Sequence, residues 1–317
     1  MISVVYLAHG PKRLVDTAVF SALTLTAGAR GIDHPWRLVV YTDRPERFTG
    51  CGLECETPPL ARLREHSGVD YPHRLKILAL RDCARHYEGG ILYVDGDTYF
   101  RSSPEPLFAR LSPTTSLLHT REYSLSEDLR PELHRIVRTG AFDSPILRGA
   151  RSQPDLAMWN AGTVGIDAAN TRLIDDVLAS SDELYGAYAY HIVEQFSWSL
   201  GLAQATGLEP ADDVIAHYWA GREQVIHEVV TFLHRNRRLT ADRLASEAFN
   251  LRPEADPSWS PPLRLHARNL ARRGRTSMRE LKGRFLTARS PRPTTNAAAL
   301  AGPERDHARE RARASAA

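Results

Sequence analysis

The stretch GGILYVDGDTYF, residues 89–100, carries the strongest structural signal in the chain. Four apolar residues, 91–94, predict a buried β-strand, and two carboxylates, Asp95 and Asp97, follow it at once. A buried carboxylate without a partner is unfavourable, and a hard divalent cation would stabilise such a pair. A simple Asp-Gly turn through Gly96 is the alternative, although a turn does not explain the second acid. We therefore predict a metal site at this strand end.

The segments before this strand alternate between strand and helix patterns. Residues 2–8 and 37–41 are short apolar runs, while residues 13–28 and 73–87 have the spacing of amphipathic helices. This order predicts a parallel sheet covered by helices. Ligands of open α/β sheets bind at the carboxyl ends of the strands, which is where the two acids fall.

Weaker patterns divide the rest of the chain. Further strands are predicted at 53–57, 158–167 and 213–219, helices at 129–139, 170–185, 189–203, 222–237 and 240–250, and a loop at 142–155. Prolines and arginines then change the composition. We predict one folded domain, residues 1–255, and a tail, residues 256–317.

Charge separates the tail from the rest of the chain. Residues 1–260 carry 27 basic and 34 acidic side chains, whereas residues 261–317 carry 14 basic and 4 acidic ones. Within the tail, a capping box at 277–280 precedes an apolar face of Met278, Leu281 and Phe285. Such a basic amphipathic segment is typical of binding to an anionic membrane surface. A disordered tail and a tail that contacts nucleic acid are the alternatives. For the protein as a whole, no nucleic-acid partner is expected.

Composition narrows the class of protein. The 317 residues contain no apolar run long enough for a transmembrane helix, which needs about 18 or more residues. The N-terminus, MISVVYLAHG, has no basic residue before its apolar stretch, so we expect a first strand and not a signal peptide. The three cysteines are too few for a disulfide framework. A cytoplasmic protein is expected, with peripheral membrane contact through the tail as an open alternative.

Four motifs, in order, resemble one enzyme class. Residues 74–100, RLKILALRDCARHYEGGILYVDGDTYF, resemble the nucleotide-sugar-binding core of GT-A-fold glycosyltransferases, with their DxD signature. Residues 41–43 (YTD), 159–162 (WNAG) and 216–219 (AHYW) resemble the nucleoside segment, the strand beside the donor sugar and the histidine strand of family 8, glycogenin-like enzymes. The chain departs from that family after the histidine, because Ala220 replaces a glycine and Glu223 replaces a lysine.

The resemblance implies a fold, a reaction and a set of site residues. The implied fold is a Rossmann-like mixed sheet flanked by helices, and the implied reaction moves a sugar from a nucleotide sugar, a UDP-sugar being favoured, to an acceptor hydroxyl. The acceptor would be a glycan, a lipid-linked molecule or a small molecule, in surface glycan or glycoconjugate synthesis. The implied metal, Mn²⁺ or Mg²⁺, would be held by Asp95, Asp97 and His217. The implied donor-binding residues are Ala8, Thr42, Asp43, Lys76, Asp95, Gly96, Asn160, Ala161, Gly162 and Arg222, and the implied catalytic pair is Glu194 and Gln195.

Each of these residues also has a simpler interpretation. Lys76 could be a solvated helix lysine, and residues 160–162 could form a strand bulge. Residues 194–195 could be an exposed helix pair, and His217 could be a packed core histidine. Two other functions stay open. A sugar nucleotidyltransferase would need a glycine-rich phosphate loop after the first strand, where AHGP is short of glycine. A non-catalytic carbohydrate-binding protein is the second alternative.

Overall fold

The structure, a computed structural model, describes residues 1–63, 71–124, 131–153, 155–219 and 222–253. The strands in these ranges are β1 (Ile2–Ala8), β2 (Trp36–Thr42), β3 (Gly90–Val94), β4 (Thr98–Phe100), β5 (Thr115–Ser124), β6 (Ala157–Ile166), β7 (Gly207–Pro210) and β8 (Ile215–His217). The helices are α1 (Lys12–Gly28), α2 (Glu46–Thr49), α3 (Arg74–His86), α4 (Glu105–Arg110), α5 (Pro131–Thr139), α6 (Pro145–Ala150), α7 (Leu173–Ala187), α8 (Val193–Ala205), α9 (Arg222–Arg235) and α10 (Ala241–Asn250). Short 3₁₀ turns lie at Leu60–Leu63 and Ala168–Asn170.

A mixed six-stranded sheet forms the centre of the fold, in the order β2-β1-β3-β6-β5-β7. The first three strands of the chain run parallel, as the alternating pattern predicts. β6 then runs antiparallel to both β3 and β5. A second, two-stranded sheet pairs β4 with β8. The predicted fold class, a mixed α/β sheet flanked by helices, is confirmed.

Helices cover both faces of the sheet because alternate strand residues face opposite sides. In β1, Val4 and Tyr6 pack with α1, α9 and α10 on one face. Val5 packs with α3, α7 and α8 on the other. Both cores are mainly apolar, and the charged groups described below lie at the strand ends.

Four details of the sequence prediction are corrected. The expected loop at 142–155 contains α6, because Pro145 occupies the first turn of a helix, where a proline has no amide to lose. The expected strand at 213–219 is paired only over Ile215–His217. Residues 53–57 contribute a single bridge, Val39 to Glu56, rather than a strand. β5 was not predicted, because two register shifts interrupt its alternation.

Several predictions about the chain lie outside what the structure tests. The tail, residues 256–317, lies outside the described residues, so the domain boundary stays a prediction.

Cys51, Cys55 and Cys83 are free thiols, as expected. No helix in the described ranges has the length and apolarity that crossing a membrane requires.

Candidate active site

The DxD acids lie in the connection between β3 of the main sheet and β4 of the small sheet. The backbone N–H of Asp95 donates to the Gly162 carbonyl at 2.8 Å, so the pairing with β6 extends one residue beyond β3. Gly96 does not use a left-handed backbone; a side chain there would press on α1, its Cβ 3.1 Å from that of Ala18. After Asp97 the chain enters β4. The two acids therefore link two sheets, which an ordinary surface turn does not do.

His217 reaches the acids through the small sheet. It lies opposite Thr98 in the β4–β8 ladder, one residue from Asp97. Its Nε2 is 3.4 Å from Asp97 Oδ1. A Cβ on Gly162 would fall 2.4 Å from two atoms of the imidazole, so only glycine lets the ring occupy this place. His119 packs its ring edge-on against the ring of His217, and burial lowers its pKa to about 4, so it stays neutral.

The donor atoms of Asp95, Asp97 and His217 converge. One ligand atom from each lies within 4.8 Å of the others. Burial raises the pKa of Asp97, but His217, in the protonated form in which Nε2 can donate to it, and Arg222 outweigh burial and lower this pKa to about 2. Arg222 Nε lies 3.2 Å from Asp97 Oδ2. Two carboxylate oxygens, one from each acid, and one imidazole nitrogen form a donor set that fits Mn²⁺ or Mg²⁺.

Lys76 is a buried cation directed at the same acids. It is 6% exposed on α3, so the interpretation as a solvated lysine does not hold. Its Nζ donates to the Ala161 carbonyl at 2.9 Å and lies 3.6 Å from Asp95 Oδ2 and 3.3 Å from Glu194 Oε1. Burial lowers the pKa of Lys76, but the two carboxylates outweigh burial and hold it above its ordinary value. The ammonium is therefore charged at neutral pH.

Arg74, two residues before Lys76 on α3, has a different role. Its guanidinium binds Asp182 of α7 with both arms, at 2.7 and 2.9 Å. This bidentate pair joins two helices. Of the two helix cations, only Lys76 faces the strand ends.

Glu194 and Gln195 begin α8 beside Lys76. Glu194 is 2% exposed, and burial raises its pKa to about 7 against the opposing charge of Lys76. Its Oε1 is buried and makes an ion pair but no hydrogen bond of normal geometry. The exposed-pair interpretation therefore fails for Glu194. A carboxyl group with a pKa near 7 can gain or lose a proton at physiological pH.

Glu122 was not predicted to belong to the site. It lies on β5, and its Oε1 accepts a hydrogen bond from Asn160 Nδ2 while its Oε2 accepts one from Gln195 Nε2, both at 2.9 Å. Asn160 in turn contacts the Nδ1 of His217, at 3.0 Å from its Oδ1. The only sequence signal was an acid in a polar stretch, REYS, which has no recognisable period.

These groups line one cleft of about 630 Å³. Its lining residues are His73, Lys76, Asp95, Glu122, Tyr123, Asn160, Gly162, His191, Ile192, Glu194, Gln195, His217 and Trp219. Trp219 is 64% exposed, an unusually large apolar surface to leave in water. Seven of the predicted site residues thus meet in one cleft, Asp97 and Ala161 contact members of that lining, and Arg222 contacts Asp97.

Three predicted residues lie along the same sheet edge but outside the cleft lining. Ala8 and Thr42 end the paired strands β1 and β2, opposite each other in the register. Asp43 Oδ2 accepts a hydrogen bond from the backbone N–H of Gly10 at 3.1 Å. Gly10 has φ +89°, which a residue with a side chain rarely adopts. In the structure, Asp43 thus fixes the turn after β1.

The chain is similar to many solved structures, including a xylosyltransferase and a galactosyltransferase. Mouse xyloside xylosyltransferase 1, in its apo form, aligns with 66% of this chain and 85% of its own, at 14% identity and a TM-score of 0.45. Galactosyltransferase LgtC, in complex with donor and acceptor sugar analogs, aligns with 81% of this chain and 98% of its own, at 14% identity and a TM-score of 0.45. No family model and no curated protein matches the chain. Both neighbours are glycosyltransferases, the class that the sequence motifs resemble.

Proposed function

We propose that this protein is a metal-dependent glycosyltransferase that moves a sugar from a nucleotide-sugar donor to an acceptor hydroxyl. The observation that supports this most is the convergence of Asp95, Asp97 and His217 at the carboxyl end of β3, within a cleft that also holds a buried lysine. Two acids, an imidazole and cations at one strand end suit a cation and a diphosphate together.

The proposed reaction breaks the bond between the anomeric carbon and the diphosphate oxygen. The acceptor oxygen bonds to that carbon, its proton is released, and a nucleoside diphosphate leaves. Asp95, Asp97 and His217 would hold Mn²⁺ or Mg²⁺, which when bound would supply Lewis-acid stabilisation of the leaving diphosphate. Arg222, with its side chain 46% exposed, has a free face for the same anion. A UDP-sugar is the favoured donor, on the resemblance of the motifs.

The sugar would bind beside α8. Glu194 and Gln195 line the cleft together with Asn160, and amide and carboxyl groups are well suited to bind hydroxyl groups. Trp219 lies in the same lining with much of its ring in solvent, and we assign it to the acceptor. An aromatic face beside polar groups suits the apolar face of a sugar ring. This arrangement supports a glycan among the acceptors considered.

A donor panel tests the proposal. UDP-, GDP-, CMP- and dTDP-sugars, each with Mn²⁺, are added to the full chain, and the unfolding temperature and the release of nucleotide are measured. A true donor at about a hundredfold excess over Kd stabilises the protein by about 2.7 kcal/mol. A donor that stabilises the protein and is turned over supports the transferase. Stabilisation without any turnover favours the non-catalytic carbohydrate-binding protein. In a separate assay, release of inorganic pyrophosphate from a sugar phosphate and a nucleoside triphosphate favours the nucleotidyltransferase.

We also propose a cytoplasmic enzyme whose tail contacts an anionic membrane. The excess of basic residues in 261–317 supports this. Full-length protein should sediment with vesicles that contain phosphatidylserine at low salt and be released at high salt, while protein lacking residues 261–317 should stay in solution. Equal sedimentation of the two proteins would contradict the membrane role of the tail.

A further inference from the structure

Glu122 joins two amides from different parts of the fold. Its two carboxylate oxygens accept hydrogen bonds from Asn160 on β6 and from Gln195 on α8, at 2.9 Å each. A carboxylate oxygen can only accept, so both amides must present their nitrogens to it. One side chain on β5 thereby sets the direction of two amide groups in the cleft.

The Asn160 amide is fixed from both ends. Its Oδ1 accepts a hydrogen bond from the backbone N–H of Gly162 at 2.8 Å, and its Nδ2 donates to Glu122. A backbone N–H can only donate, and the carboxylate can only accept. The reversed orientation would break both contacts, so this amide has one orientation that its neighbours allow.

That orientation decides which nitrogen of His217 carries a proton. The Asn160 Oδ1 lies 3.0 Å from His217 Nδ1, and an oxygen at this distance requires a proton on the nitrogen. In the neutral ring, the lone pair then lies on Nε2. Nε2 is the atom 3.4 Å from Asp97 Oδ1, on the side of the converging acids.

We propose that Glu122 is a positioning residue, which acts through Asn160 to hold His217 in the Nδ1–H form with Nε2 directed at the cation site. Its second oxygen holds Gln195 in the same way. The tautomer follows from the contacts alone, whereas its consequence for metal binding rests on the proposed function. Groups that orient a metal ligand in this manner change metal affinity by about 10- to 100-fold when they are removed.

The test compares Glu122→Ala and Glu122→Gln with the matched control Glu209→Ala. Glu209 is a carboxylate on β7, which pairs with β5, and it does not line the cleft. The glutamine keeps an oxygen that can accept from Asn160 Nδ2, and the alanine does not. The ring nitrogens of His217 are observed by ¹⁵N NMR in the full, metal-free chain at pH 9, and Mn²⁺ affinity is then measured by calorimetry in the presence of UDP.

The wild type, Glu122→Gln and Glu209→Ala should show a protonated Nδ1 and a bare Nε2. Glu122→Ala should show a mixture of tautomers and bind Mn²⁺ about 10- to 100-fold more weakly. A wild-type spectrum in Glu122→Ala, or a bare Nδ1 in the wild type, would overturn the inference. If Glu122→Ala does not fold, Asn160→Ala, which removes the oxygen that accepts from His217 Nδ1, takes its place with the same expected mixture. Failure of the wild type to bind Mn²⁺ with UDP would contradict the proposed function, while the NMR result would still decide the tautomer.

Discussion

Carboxylates in two regions of this protein are paired in different ways. Asp16 of α1, with its side chain 2% exposed, accepts from Arg47 Nε on one oxygen and from Lys12 Nζ on the other, both at 2.8 Å. The nearest nitrogens to Asp97 are those of Arg222, at 3.2 Å, and His217, at 3.4 Å, and a second acid, Asp95, is beside it. Asp16 holds the fold through two close partners. The acids at the end of β3 share cations at longer range, which leaves their oxygens available to another cation.

The largest difference should appear in turnover. Asp97→Asn keeps the shape of the side chain but removes a proposed metal ligand, so glycosyl transfer at ordinary Mn²⁺ should fall by about 100-fold or more. Asp16→Asn lies outside the cleft, and its folded fraction should turn over at a rate near that of the wild type. Rates are measured at a temperature where both variants are folded. Equal losses in the two variants would remove the distinction between the two sets of acids.

Stability should reverse that order. Asp16→Asn weakens charge-assisted hydrogen bonds from Arg47 and Lys12, each worth about 1.5–3 kcal/mol, so the free energy of unfolding should fall by about 3 kcal/mol or more. Asp97 has a pKa of about 2 instead of 3.8, which corresponds to about 2 kcal/mol in the metal-free protein. Because its pKa is lowered by folding, this contribution is present above pH 3.8 and is lost as the pH falls through 2. Urea titrations at pH 7 and pH 3 of the wild type and both variants measure it. A metal-free Asp97→Asn variant more stable than the wild type at pH 7 would contradict this account.

Much of this contrast could be predicted from the sequence, but not all. The buried strand before Asp95 and the spacing of the acids are local patterns, and β3 formed as expected. His217 was identified by resemblance, since nothing near residue 217 indicates that β8 pairs with β4. The role of Glu122 depends on β5, whose two register shifts conceal its period. The pairing of Asp16 with Arg47 joins residues 31 apart, and no local pattern reports such a contact.

The contribution of Glu194 to the free energy of unfolding should change with pH in the opposite direction to that of Asp97. Burial raises the pKa of Glu194 from 4.5 to about 7. Between pH 4.5 and 7, the folded protein therefore keeps a proton on Glu194 that the unfolded protein has lost. Its contribution to stability is therefore fully present below pH 4.5 and is lost as the pH rises through 7, by about 3 kcal/mol. Glu194→Gln should remove this slope. Urea unfolding between pH 4.5 and 8 tests it, and an identical slope in the variant would assign the effect to another group.

Trp219 should give the smallest effect. Its exposed ring is assigned to the acceptor, and an aromatic contact is worth about 0.5–1.5 kcal/mol. Trp219→Ala should therefore raise the KM for the acceptor by about 2- to 10-fold, while the KM for the donor in the same variant serves as the control. A change confined to the KM for the donor would contradict this assignment and place Trp219 in the donor site.

The central claim is that Asp95, Asp97 and His217 hold a divalent cation. Calorimetric titration of Mn²⁺ into the full chain in the presence of UDP tests it most directly, with Asp16→Asn and Asp97→Asn measured in parallel. The account predicts one Mn²⁺ per chain for the wild type and for Asp16→Asn, and affinity at least about 10-fold weaker for Asp97→Asn. Mn²⁺ bound by Asp97→Asn as tightly as by the wild type, or no binding by the wild type, would contradict it.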